Sequence, residues 1–323
     1  MDVNRPPIRA AGLWFSDCGL VLQAEHTLFR ISRDFMATHS PIFRDMLALP
    51  TPPDADMYDG CPLVCLPDSA EDMTHFLKAL LYYDYLAPEV QNNPVDTLLS
   101  VLKMSHKYEV SSLRKRILSQ MSLLFPSTLA AASLSQSEKC AFINDRNEDF
   151  SVDVVLAARQ VSMDWILPFV FYQMCRLSDE SCILDSPLSM ADKKRWIVGC
   201  RRLETAEMTR MLQFLWDPIP IASCTRDNGL CDGVRVRLRQ FAESRRHYNT
   251  EAAMRLPLEI VEPAYWTSLR KSVCVACLTE METLYAAART DFWARLPQIF
   301  DLPGWEELEK IRQDAFAPDV QWD

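Results

Sequence analysis

The chain has 323 residues, 49% of them hydrophobic and 24% charged, a balance that suits a globular protein of two or three compact domains. Its formal charge of -10 repels nucleic acid and anionic membrane before contact, so proteins are the expected partners. Only seven glycines occur, and none lies in the spacing that lets backbone amides cradle a phosphate, which excludes Rossmann and P-loop chemistry.

In chain order, Leu20-Val21-Leu22-Gln23-Ala24 and Thr27-Leu28-Phe29-Arg30-Ile31 are short runs of strand formers around a turn at residues 24–26. They predict an antiparallel hairpin. Ser32 is placed to cap a short helix over residues 33–39. Ser40 is placed to cap a second, whose first residue is Pro41, where a missing amide proton costs nothing. That second helix should pack Phe43, Met46 and Leu47. Residues 50–56 carry three prolines and two acids and predict a loop, ended by Gly60. Leu63-Val64-Cys65-Leu66 predicts a buried strand. Ser69 with Glu71 and Asp72 then predicts a capped helix with acids in its first turn. Met73, Phe76, Leu77, Leu80 and Leu81 fall on one face of that helix and read as core. Further helices carry Leu98, Val101 and Leu102, then Val110, Leu113, Ile117, Met121 and Leu124. The predicted fold class for this part is α+β, with short strands capped by helices.

The stretch from Phe29 to Leu47, with Ser40-Pro41 at its centre, resembles the signature of BTB/POZ domains. Leu66-Pro67-Asp68-Ser69-Ala70-Glu71 with Phe76 to Tyr82, and Ser105-His106-Lys107-Tyr108-Glu109-Val110 with Leu113-Arg114, are similar to the later helices of that domain. The resemblance covers residues 12–125. Beyond it, residues 156–168 and Phe292 to Trp305 resemble the large group of fungal BTB-domain proteins. The resemblance implies a domain that binds other proteins through helix faces and strand edges, often as a homodimer. Two departures stand out. Ser32 occupies a position where many such domains have histidine, and no hydrophobic-x-Glu triplet follows the helix at residues 43–47. That triplet is associated with cullin binding in BTB adaptors, so its absence counts against a cullin scaffold as partner.

Residues 126–220 and 221–323 predict two further, mostly helical regions. Polar stretches at residues 133–139 and 144–149 read as loops around a short helix at a domain junction. Val154, Ala158, Val161 and Trp165 predict one amphipathic helix, and Phe169 to Cys175 a second that is apolar on nearly every side. Helical spacing continues from Trp196 to Leu215 and breaks near Asp217-Pro218-Ile219-Pro220.

Four cysteines in the last third are the candidate metal ligands. Cys224 and Cys231 bracket a turn-forming segment, while Cys274 and Cys277 lie at i and i+3, on one face of a predicted helix. Four thiolates would make a closed tetrahedral site for one structural zinc. The alternative is that these cysteines line a helix core as small hydrophobes.

The one basic concentration is Arg235-Val236-Arg237-Leu238-Arg239 with Arg245-Arg246-His247, and in an acidic chain it reads as a solvated helix face. None of the five histidines has H-E-x-x-H spacing and no serine sits in G-x-S-x-G, so no catalytic residue is assigned and the chain reads as a non-enzyme. An odd count of eleven cysteines, with no apolar leader or spanning segment read in the sequence, gives the cytoplasm or nucleus as the expected location, with no membrane partner expected. The expected function is a protein-interaction scaffold or adaptor. The alternatives are a substrate adaptor of a cullin-type ubiquitin ligase and a DNA-associated transcriptional regulator using residues 235–246.

Overall fold

A computed structural model describes residues 6–50, 55–89, 92–135, 149–176, 180–226, 229–248, 256–261 and 263–318. The chain is α+β: a five-stranded sheet and its helices come first, and a largely helical region follows. Among the described residues, no helix is long and apolar enough to cross a membrane.

The sheet has the order β1-β3-β2-β5-β4. Strands β2 (Leu20–Ala24) and β3 (Thr27–Ile31) form the expected antiparallel hairpin, with Leu22 opposite Phe29 and Glu25 left-handed at the turn. A strand that the sequence pattern did not announce, β1 (Ile8–Trp14), lies parallel to β3 at the sheet edge. It is mostly exposed and breaks register between Arg9 and Trp14, so it carries no clean alternation of apolar and polar residues. The sheet therefore begins at Ile8. Gly60 does more than end a loop. With Asp59 it supplies the two positive-φ residues of a tight hairpin between β4 (Met57–Tyr58) and β5 (Cys61–Leu66). β5 starts two residues earlier than expected and is half-buried along much of its length, because it has only the two-residue β4 outside it.

β5 runs parallel to β2, which requires a crossover, and helices α1 (Arg33–His39) and α2 (Pro41–Ala48) provide it. Both caps act as predicted: Ser32 Oγ accepts from Phe35 N at 3.2 Å and Ser40 Oγ accepts from Phe43 N at 3.1 Å. Ser40 also donates to the Tyr108 carbonyl at 2.5 Å, so one hydroxyl joins α2 to the end of α4 (Val95–Lys107). Phe43 and Phe76 stack on the Tyr108 ring at 4.7 and 5.7 Å, and the Tyr108 hydroxyl donates to Asp68 at 2.6 Å. Burial and the neighbouring Asp68 push the Tyr108 phenol above its ordinary range. Ser69 caps α3 (Ala70–Leu81), whose Met73, Phe76 and Leu77 are fully buried, and α5 (Ser111–Leu124) closes this layer.

A short helix α6 (Leu129–Ser135) follows. Of the polar stretches read as loops at 133–139 and 144–149, residues 133–135 instead continue α6 and Asp149 opens the next helix, while 136–139 and 144–148 lie outside the described residues. α7 (Asp149–Val161) stops before Trp165, because Ser162 adopts a positive φ and Trp165 falls in a separate 3-10 turn. The expected single helix through Trp165 is thus two elements. Trp165 is buried and donates from Nε1 to Ser122 Oγ at 3.0 Å, which ties the helical region to α5.

α8 (Leu167–Met174) is buried on all sides, Gln173 included, in keeping with a sequence that is apolar on nearly every side. It packs against α7, α10 (Met190–Arg202) and α14 (Val275–Ile299), while α9 (Glu180–Leu184) lies between α8 and α10 in the chain. Beyond α10 the chain continues through a π-type turn into α11 (Met208–Leu212) and breaks at the Asp217-to-Pro220 segment, as expected. α12 (Leu230–Tyr248) and α13 (Pro263–Ser272) then lead to α14. α15 (Trp305–Phe316) folds back so that Phe316 meets Trp165 and Trp305 stacks on Trp293 at 5.5 Å. One continuous apolar core runs from Leu13 to Leu308 through all three expected segments.

Candidate metal centre

The four predicted cysteines come together. The sulfurs of Cys224, Cys231, Cys274 and Cys277 all lie within 4.8 Å of one another, and Cys231, Cys274 and Cys277 are buried. Among the described residues, no second group of three or more His, Cys, Asp or Glu side chains converges in this way.

Three elements deliver the ligands. Cys224 lies in the irregular segment after Ile221, whose carbonyl accepts from Cys224 N at 3.0 Å. Cys231 sits in the first turn of α12 and is fully buried. Cys274 and Cys277 come from the start of α14, but not as two residues on one helical face. Cys274 is the N-cap, with extended backbone, and its sulfur accepts from Cys277 N at 3.5 Å. The physical reason is that a thiol can fill the place of a capping hydroxyl, satisfying an orphan amide while the cap residue stays outside the helix. Cys274 N in turn donates to Cys231 Sγ at 3.3 Å, so a backbone amide already ties the two halves of the cluster.

The spacing suits one ion. Four sulfurs at about 2.3 Å from a central tetrahedral metal lie about 3.8 Å from each other. Cys224 and Cys274 are 3.9 Å apart, and no pair exceeds 4.8 Å, so a small inward movement would complete the tetrahedron. The arrangement could hold a metal ion, and four protein ligands would leave no coordination position for a substrate.

The electrostatics prepare the site for a cation. Amide donation from Thr225, followed by that from Cys277, pulls the Cys274 thiol down to about 5 against the opposing effect of burial. Burial pushes Cys277 well above the ordinary thiol range, helped by hydrogen bonds with Cys224 and Cys274. Burial also raises Cys231. Hydrogen bonding thus favours ionisation at Cys274, while burial opposes it at Cys231 and Cys277. A positive charge at the centre of the cluster would favour further ionisation, and a bound metal would supply it.

Sequence reasoning missed the clasp around this cluster. Arg226 Nη1 donates to the Ser272 carbonyl at 2.8 Å and joins the Cys224 segment to the end of α13, two residues before Cys274. The partners are 46 residues apart and share no motif, so nothing local signals the contact. The basic stretch also needs correction. Arg235 is fully buried: it donates to the carbonyls of Pro218 at 2.6 Å and Phe214 at 2.8 Å and pairs with Asp232 at 3.4 Å. Arg239 lies over the Trp216 ring at 4.7 Å. The stretch is a solvated face only at Val236 and Arg237, because residue 235 points into the same interface as Cys231, one turn before it. The side chains of Arg245, Arg246 and His247 lie outside the described residues.

No family model matches the chain, and no curated protein or solved structure matches it either.

Proposed function

We propose that this chain is a non-enzymatic protein-interaction scaffold, with a BTB/POZ-like N-terminal module and a helical region stapled by one structural zinc. The observation that carries the metal assignment is the convergence of four cysteine sulfurs from three elements, with spacing for a single tetrahedral ion. Soft thiolates in a tetrahedral set favour zinc among the common cellular metals. A closed set of four protein ligands supports a structural role over a catalytic one.

The interaction reading rests on the resemblance of residues 12–125, on an acidic chain, and on the exposed edge strand β1, whose Ile8 is 52% exposed. Homodimerisation through this module and docking of other proteins are its expected activities, in the cytoplasm or nucleus where thiols stay reduced. The ubiquitin-ligase adaptor reading lacks the cullin-associated triplet. The DNA-regulator reading is weakened because Arg235 and Arg239, two of its three alternating arginines, are engaged within the fold.

The deciding experiment is elemental analysis of the purified full chain beside a Cys274→Ser/Cys277→Ser double variant. The expected result is about one zinc per chain in the parent and none in the variant. Absence of zinc from freshly purified parent that also fails to take up added zinc would overturn the metal assignment. For the scaffold, sedimentation velocity should show a concentration-dependent dimer. A monomer at every concentration would remove homodimerisation from the proposal.

A further inference from the structure

A second pair of sulfurs lies away from the zinc candidate. Cys175 is the C-cap of α8, 3% exposed, and Cys200 is a half-buried residue near the end of α10. Their sulfurs are 2.6 Å apart. Non-bonded heavy atoms settle at about 3.5–4.0 Å and a disulfide bond is about 2.0 Å, so the pair is closer than simple contact allows and nearer to bonding distance.

The fold sets this approach. An added Cβ at Gly199 would lie 2.1 Å from the Phe300 ring, so only glycine lets α10 come this close to that ring. Phe300 in turn stacks on Phe171 at 5.6 Å, and the Phe171 carbonyl accepts from the Cys175 thiol at 3.3 Å. Phe171, Phe300 and Gly199 together fix the distance between the two helices that carry the thiols.

We propose that Cys175 and Cys200 are a dithiol that a low-molecular-weight disulfide closes to an intramolecular disulfide, cross-linking α8 to α10. Cys200, the more accessible residue, attacks the oxidant as its thiolate. It forms a mixed disulfide and releases one small thiol. Cys175 then gives up its proton and attacks the Cys200 sulfur, forming the protein disulfide and releasing the second small thiol. The two protein thiols lose two electrons, and the oxidant is reduced to two thiols. A reducing thiol reverses both steps. Burial raises the Cys175 thiol, so the second step quickens as pH rises. The inference is independent of the zinc reading, since neither residue belongs to that cluster.

The test uses the full chain incubated with glutathione disulfide, alkylated, and digested with trypsin without reduction. Cleavage at the intervening basic residues places Cys175 in peptide 160–176 and Cys200 in peptide 196–201. The expected product is these two peptides joined, two hydrogens lighter than their sum and separated again by dithiothreitol. Closing this loop should also raise Tm by about 5 °C. Cys200→Ser should abolish the link and the rise, while Cys65→Ser, at an exposed thiol on β5, should leave both intact. Recovery of both peptides separately alkylated from the oxidised chain would overturn the proposal. So would a chain in which Cys200 stops at the glutathione adduct while Cys175 remains alkylatable. The peptide map of the unmutated chain decides the question even if a variant fails to fold.

Discussion

Arg235→Ala tests how α12 is held. The guanidinium is fully buried and gives charged hydrogen bonds to two backbone carbonyls, Pro218 and Phe214, besides pairing with Asp232. Each charge-assisted bond contributes about 1.5–3 kcal/mol, and the two carbonyls would be left without their donor. Removing the charge also removes its desolvation cost, which offsets part of the loss, so the net expectation is about 3–5 kcal/mol. Arg235→Met keeps the length of the side chain and fills the space, and it should lose less, about 2–4 kcal/mol. Urea titration read by tryptophan fluorescence measures both, with Trp216 and Trp266 close to the affected interface. The m-value serves as the check that the same surface unfolds. A loss under about 1 kcal/mol for Arg235→Ala at unchanged m would refute the reasoning, since it would mean that the side chain reaches water at little cost.

Three further outcomes follow from the geometry. A strong chelator should lower Tm, with full recovery on added zinc, and it should leave the Tm of the Cys274→Ser/Cys277→Ser variant unchanged. Asp192 governs part of the acid limb. Burial alone would raise its carboxyl, but Arg159, at 2.7 Å, then Ser189 and Arg195 hold it below the usual carboxylate range. A depressed folded pKa adds stability that is complete above the unfolded value of about 3.9 and is lost as pH falls through the lower folded value. Asp192→Asn should therefore flatten the decline of Tm below about pH 4 and lower Tm at neutral pH; an unchanged acid limb would count against this account. Gly199→Ala should cost about 1–3 kcal/mol through collision with Phe300, and Phe300→Leu in the same chain should recover part of it in thermal melts.

The N-terminal elements were legible where local chemistry decides them. Ser32, Ser40 and Ser69 each cap the helix that the sequence assigns to them, because an N-cap depends on residues within three positions. The β2–β3 hairpin was legible for the same reason. β1 was not, since an edge strand paired on one side needs no buried face, and its register breaks between Arg9 and Trp14. The four cysteines were identifiable by residue type and spacing, yet the role of Cys274 as a cap was hidden. Cysteine is not among the usual capping residues, and C-x-x-C alone does not distinguish two helical ligands from a cap followed by a first-turn ligand. Arg226, Arg235 and the Cys175–Cys200 pair depend on contacts between residues 17 to 46 positions apart, and no periodicity encodes such contacts.

The position of the metal candidate follows from what α12 lacks. Across residues 230–240 only Cys231 and Arg235 are buried, while Leu230 is 61% exposed and Val236 is 40% exposed. A fully buried leucine would contribute about 1.5–3 kcal/mol, and this stretch of helix buries none. Its attachment falls instead to two residues one turn apart on the same face: a thiol aimed at the start of α14 and a guanidinium aimed at the Phe214-to-Pro218 segment. Neither anchor is strong through burial alone. A lone buried thiol is only a small hydrophobe, and a buried guanidinium must first recover its desolvation cost. A metal would change that balance, because one ion would bind the Cys224 segment, α12 and the cap of α14 at a single point and would favour as thiolates groups whose ionisation burial opposes. The four sulfurs thus meet where residues 230–240 of α12 bury little apolar side chain, and a structural ion there would add an attachment that this packing does not supply.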